Sequence, residues 1–131
     1  KDKSMNMSFS GIKTAVNILV KQNDLNEKFV SNICSSFQLC VLKVLLKKIS
    51  ECLESLKTKS KTVTSMSIVG GVSNNAYIRN EVERHMNKKN IKIYFPINEM
   101  MTDNAAMIAW MCIISNKKND LFFNVNPRLT I

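Results

Sequence analysis

The chain is poor in the residues that punctuate a fold. With 3 glycines and 2 prolines in 131 residues, it carries no Pro/Gly-rich linker, low-complexity segment or internal repeat. One histidine excludes a His-pair metal site. His85 sits beside Arg84, Lys88 and Lys89, which places it on a solvated helix face and argues against a Ser-His-Asp triad. None of the 4 cysteines (Cys34, Cys40, Cys52, Cys112) stands in a CxxC pair. They read as buried free thiols in a reducing compartment, not as a zinc or disulfide framework. Arginine is limited to Arg79, Arg84 and Arg128. The longest apolar run lies within Ala105 to Ile114, well short of the ~18 residues of a spanning helix. The amino end lacks a charged-then-apolar secretory leader, so the Asn6-Met7-Ser8 glycosylation pattern is set aside. The chain begins at Lys1 without a Met, as an excised piece of something longer would.

What is abundant is lysine, asparagine and isoleucine, with 45% hydrophobic residues and a formal net charge of +9. The length suits one domain, residues 1–131, and the hydrophobic content suffices for a core. The positive charge is what a polyanion-binding surface requires. An AT-rich coding sequence produces the same profile, and composition alone leaves both open.

Ser8 to Val20 starts small and polar, then places Ile12, Ala15, Val16 and Leu19 at helical spacing. This predicts a strand or turn leading into a helix, with Gly11 at a close approach or bend. Asp24-Leu25-Asn26-Glu27 has the form of a capping box. Behind it Phe29, Ile33, Phe37, Val41, Leu45, Ile49, Cys52 and Leu56 recur every three or four positions, predicting a long amphipathic helix. Its polar face carries Lys43, Lys47, Lys48 and Glu51. After a basic loop, Met66, Ile68 and Val69 form a short strand ending at Gly70-Gly71. A helix capped by Ser73 or Asn75 follows, with Ile78, Val82 and Met86 inward. Ile91, Ile93 and Phe95 alternate with Lys92 and Tyr94 as a second strand, which Pro96 ends. A last helix and an irregular tail from Asn116 to Ile131 complete the chain. Strands alternating with helices predict an α/β layer with parallel strands.

Three places offer chemistry. Strand–Gly70-Gly71–helix lets a ligand approach the backbone and presents free helix N–H groups to an anion; Asn75 in the first turn can reach a ribose or carbonyl. A tight turn explains the same pattern. Thr102-Asp103-Asn104 opens a helix that is apolar all round, and such a helix is buried. A carboxylate there caps the helix and still has lone pairs for a cation, so Asp103 is the candidate metal ligand or catalytic carboxylate, with a plain cap as its alternative. Ser8 to Thr14 holds hydroxyls, a glycine and a lysine, but not in Walker order.

Ser8-Phe9-Ser10-Gly11-Ile12-Lys13-Thr14-Ala15-Val16 closely resembles the F-S-F-S-G-L-K-T-A-V run of the TsaD family. Ile33-Cys34-Ser35-Ser36-Phe37-Gln38 resembles its I-A-A-S-F-Q, and Gly70-Gly71-Val72-Ser73-Asn74-Asn75 its G-G-V-S-A-N, followed by a matching Ile78-Arg79. Tyr94-Phe95-Pro96, then Thr102-Asp103-Asn104-Ala105-Ala106-Met107-Ile108-Ala109, and more loosely Pro127-Arg128, match in the same order. The resemblance covers nearly all of this chain but only the carboxyl-terminal part of the family's chain. Its Lys-Thr-Ala-Val form is similar to the bacterial and mitochondrial branch. Met101 stands where the family has Cys, Leu129 where it has Trp, and Asn6 where it has Asp.

The resemblance implies the carboxyl-terminal lobe of an actin-like ATPase fold (the sugar kinase/Hsp70/actin, ribonuclease H-like class). It implies transfer of a threonylcarbamoyl group from threonylcarbamoyl-AMP to the adenosine next to the anticodon of ANN-reading tRNAs. It implies one divalent metal, iron or zinc, held by a His-x-x-x-His motif that this chain lacks and by an aspartate that falls on Asp103. It places Asn75 on the substrate and Gly70-Gly71 against the nucleotide, threonylcarbamoyl-AMP or ATP. Expected partners are tRNA and either TsaB- and TsaE-like subunits in a bacterial cytoplasm or a second copy in a mitochondrion, with no membrane. The alternatives are a catalytically inactive fragment or subunit-binding module, a plain basic RNA-binding domain, and a metallopeptidase, for which no H-E-x-x-H is present.

Overall fold

The computed structural model describes residues 5–115. They form α1 (Ser10–Gln22), α2 (Glu27–Thr58), β1 (Ser65–Ser67), α3 (Ala76–Asn87), β2 (Lys92–Tyr94) and α4 (Ala105–Ser115), with 3-10 turns at Gly71–Asn74 and Asn98–Met100. The chain divides into two compact units, Lys1–Met101 and Thr102–Ile131. The expected tail from Asn116, with its Pro127-Arg128 match, lies outside the described residues.

In the first unit β1 and β2 pair in parallel, with Ser65 opposite Lys92, Met66 opposite Ile93 and Ser67 opposite Tyr94. The amide of Lys92 donates to Thr64 O, and that of Ile68 to Tyr94 O, each at 3.0 Å. The crossover between the strands is α3. Its Ile78, Val82 and Met86, spaced four apart, form one buried stripe. They meet Val41 and Leu42 of α2 and Ile91 at the entry to β2, and Leu45, Ile49, Leu53, Met66 and Ile93 pack around them. Helix α1 lies on the amino-terminal half of α2, where Ile12, Val16, Phe29, Ile33 and Phe37 border an open apolar groove of about 370 Å³.

Several local expectations are corrected. Helix α1 begins at Ser10, so Gly11 lies inside its first turn, with no neighbouring atom within 4 Å of a would-be Cβ. It marks no bend, and no close approach to it occurs among the described residues. The cap of α2 is Asn26, whose Oδ1 accepts from Phe29 N at 2.9 Å; Asp24 is two residues too early for that bond. Contrary to the expected burial, Cys34, Cys40 and Cys112 are exposed and Cys52 half-buried. His85 is half-buried, with an Nε2 that is buried and has no hydrogen-bond partner among the described residues, not a solvated side chain. Although no apolar run reaches spanning length, α2 as a whole is long and apolar enough, by length and mean hydropathy, to cross a membrane. Its buried Val41 and Leu42 make it the helix on which α3 packs.

The second unit contains α4. Met107, Ile108, Trp110, Met111, Ile113 and Ile114 of this helix are all exposed. The expectation that so apolar a helix is buried is corrected for this chain: composition asks for burial, but the described residues do not provide the covering surface.

Candidate functional site

The turn after β1 is built around Gly70. Its φ of 92° and ψ of 167° are a backbone conformation that essentially only glycine adopts. Gly70 O then accepts from both Ser73 N (2.9 Å) and Ser73 Oγ (2.6 Å). Ser73, 2% exposed, thereby locks the 3-10 turn from beneath. At Gly71 the backbone is ordinary, and no atom lies within 4 Å of where a Cβ would stand at either glycine. Packing inside the protein therefore does not require glycine at Gly71; open space lies over it, available to a ligand.

Asn75 closes the turn and caps α3, its Oδ1 accepting from Ile78 N at 3.1 Å. Ser73, the other candidate cap, has its hydroxyl committed to Gly70. The Asn75 amide also donates to Gln38 Oε1 of α2 at 3.0 Å. One N–H and one lone pair of the half-buried Asn75 side chain are left for a ligand. Gly70, Gly71 and Asn75 thus form one continuous corner at the carboxyl edge of the parallel sheet, the position where open α/β sheets bind ligands.

Two residues that the sequence marked only as a match (Arg79) and a departure (Met101), with no role assigned, brace this unit. Arg79 donates to Asn98 Oδ1 at 3.3 Å, lies 4.0 Å from Met101 Sδ and stacks 4.6 Å from the Phe95 ring centroid. It ties α3 to the segment after β2. Met101, where the family resemblance expects Cys, is 1% exposed and ends the first unit. Its sulfur faces the Arg79 guanidinium, a contact that pattern reading gives no means to see.

Asp103 belongs to the second unit. It is exposed, and its carboxylate has no hydrogen bond or ion pair among the described residues. The helix cap assigned to it is corrected: Asn104 Oδ1 accepts from Met107 N at 3.1 Å, and Asn104 Nδ2 donates to Thr102 O at 2.9 Å. Asp103, Asn104, Ala105, Met107 and Ile108 border a shallow open hollow. No group of three His, Cys, Asp or Glu that could hold a metal ion occurs among the described residues. The Ser8–Thr14 run is mostly helical, with Ser8 Oγ and Ser10 Oγ 3.0 Å apart and Thr14 Oγ1 donating to Ser10 O at 3.1 Å. Its two serine hydroxyls pair with each other and its threonine hydroxyl with a helix carbonyl, so the described run is a helix start and not a phosphate loop.

Comparison with known proteins adds the following. Residues 1–110 match the model of the TsaD family, described as tRNA N6-adenosine threonylcarbamoyltransferase. A protein of that name from Wolbachia pipientis wMel is 37% identical over 119 residues, covering 91% of this chain and 35% of the relative. Its namesake from Thermosipho africanus is 41% identical over 107 residues (82% and 31%). The one from Neorickettsia sennetsu is 37% identical over 127 residues (95% and 37%). The chain spans about a third of the length of these curated relatives.

Proposed function

The chain belongs to the TsaD family, and from that premise we propose that it is part of a tRNA N6-adenosine threonylcarbamoyltransferase with an actin-like fold. The observation that carries this reading is the family match over residues 1–110, which contains the open glycine corner and Asp103. The reaction joins the N6 amine of a tRNA adenosine to the carbamoyl carbon of threonylcarbamoyl-AMP. The carbon–oxygen bond to the phosphate breaks, AMP leaves, and the amine gives up a proton.

In this reading the backbone at Gly70 and Gly71 lies against the adenylate, where a side chain would fill the approach. Asn75, fixed by its bonds to Ile78 and Gln38, offers its remaining N–H and lone pair to orient the nucleotide. Asp103 contributes one anionic ligand to a divalent iron or zinc; its unpartnered carboxylate fits that role, and the remaining ligands come from outside the described residues. When bound, such an ion supplies Lewis-acid stabilisation of charge on the transferring group. We assign the work to a bacterial cytoplasm or a mitochondrion, with helper subunits or a second copy as partners.

The test joins this chain to an amino-terminal part from a relative. The purified protein, alone and together with TsaB- and TsaE-like subunits, is given tRNA and threonylcarbamoyl-AMP, and the nucleosides are analysed by mass spectrometry. Threonylcarbamoyladenosine is the expected product. Its absence from a folded, metal-loaded protein overturns the enzyme reading. It would then favour the second one, a non-catalytic fragment or subunit-binding module, which the chain's coverage of about a third of its relatives keeps in view.

A further inference from the structure

Two helix ends of the same design stand at one edge of the sheet. At the end of α2, Ser60 has φ 56°, Lys61 N donates to Leu56 O and Ser60 N to Lys57 O, each at 3.0 Å. At the end of α3, Asn90 has φ 56°, Ile91 N donates to Met86 O at 3.1 Å and Asn90 N to Asn87 O at 3.0 Å. Each is a Schellman-type ending with a left-handed residue, and each feeds a strand. Because β1 and β2 are parallel and in register from Ser65 and Lys92, both endings lie at the amino edge. The diglycine corner follows β1 and lies at the opposite edge.

Lys57, Lys59 and Lys61 flank the first ending, and Lys88, Lys89 and Lys92 the second; all are exposed. Residues 55–64 and 86–95 contain no acidic side chain. None of these lysines is in an ion pair among the described residues. Lys89 Nζ sits 3.4 Å from Ser50 Oγ, and Lys92 Nζ lies 4.9 Å from the Tyr94 ring centroid. Cations at helix carboxyl ends are favoured by the dipole, but each end carries only roughly half a negative charge. The two together answer about one of these positive charges, and a positive surplus remains even with Glu54 and Glu83, just outside these windows, counted against the six lysines.

We infer that this lysine cluster at the amino edge of the sheet is a docking surface for the phosphate backbone of tRNA. The inference rests on the proposed transferase reading for the identity of the RNA. Lysines act as point charges on phosphate and position a nucleic acid without reading its sequence. Strands of this length span about 10 Å, so an occupant that also reaches the glycine corner is an extended polyanion, not a mononucleotide. The surface holds the body of the RNA while its reacting adenosine lies elsewhere.

The experiment uses the full-length protein carrying this chain. The charge-reversed pairs are Lys59→Glu with Lys61→Glu and Lys88→Glu with Lys89→Glu. The control pair, Lys43→Glu with Lys47→Glu, lies earlier on α2. Binding of unmodified tRNA is measured across a salt series, with melting temperature as the check on folding. Each cluster pair is expected to bind about tenfold more weakly at low salt, with a shallower salt dependence. The control pair and the matching Lys→Arg variants bind as wild type. Unchanged affinity in both cluster pairs overturns the inference, as does an equal loss in the control pair, which marks diffuse attraction. Polyglutamate captured as tightly as tRNA, with the same losses, assigns the surface to acidic polymers and also overturns it. If the wild type binds tRNA, with the cluster pairs weakened, but forms no threonylcarbamoyladenosine, the docking surface stands and the transferase reading fails.

Discussion

The side-chain amide of Asn75, at the start of α3, donates to Gln38 Oε1 on α2 at 3.0 Å, across 37 positions of sequence. The same residue caps its own helix through Oδ1. One side chain therefore fixes where α3 starts and how that start sits against α2. Asn75→Ala removes both bonds: about 1 kcal/mol for the cap and about 1 kcal/mol for the hydrogen bond. Gln38→Ala removes only the second. Urea unfolding is expected to show Asn75→Ala roughly twice as destabilising as Gln38→Ala. Equal losses in the two variants exclude a stabilising cap.

The two glycines of the corner separate a backbone requirement from a ligand requirement. Gly70→Ala forces a side chain into φ 92°, which costs on the order of 1–3 kcal/mol and lowers the melting temperature. Gly71→Ala meets no neighbour and no strained φ, so its melting temperature stays near wild type. If the nucleotide lies against this turn, Gly71→Ala weakens adenylate binding, read by calorimetry, in a protein that is otherwise stable. Unchanged adenylate affinity in that variant removes Gly71 from the site.

The core gives a prediction that depends on neither site nor family. Met86 and Val82 are 0% exposed at the meeting of α2, α3 and the strands. Met86→Ala is expected to cost about 2–5 kcal/mol, because the cavity it leaves is walled by helix and strand and collapses only partly. Lys43→Ala, on an exposed position of α2, stays within about 0.5 kcal/mol. Chemical denaturation of both variants, compared at matched denaturant slope, is the measurement.

Legibility in the sequence followed the range of the forces involved. The α2 helix and the strand–helix–strand run were readable because their apolar spacing repeats locally, as at Ile78, Val82 and Met86. The glycine corner was readable because only glycine serves at Gly70. The bonds of Asn75 to Gln38 and of Arg79 to Asn98 were not, since each joins residues far apart in sequence without a periodic signal. Caps were read to within two residues: Asp24 for Asn26, and Asp103 for Asn104, because neighbouring Asp and Asn side chains compete for the same N–H. The exposure of α4 was missed for a different reason. An apolar helix states what it needs, not whether the described residues contain the surface that covers it.

That distinction separates Asp103 from its neighbour. Asn104 holds the first turn of α4 through Met107 N, so Asn104→Ala frays the helix start at a cost of about 1 kcal/mol. It lowers the hydrogen-exchange protection of the Met107 amide. Asp103 has no partner to lose among the described residues, so Asp103→Asn leaves folding and that protection unchanged. If Asp103 is the proposed metal ligand, then in the full-length protein Asp103→Asn replaces an anionic ligand with a neutral amide that substitutes for it poorly. Metal content by plasma mass spectrometry is therefore expected to fall for Asp103→Asn and to hold for Asn104→Ala. The reverse pattern, with metal lost on fraying and kept on charge removal, makes Asn104 the anchor of that site and takes Asp103 out of it.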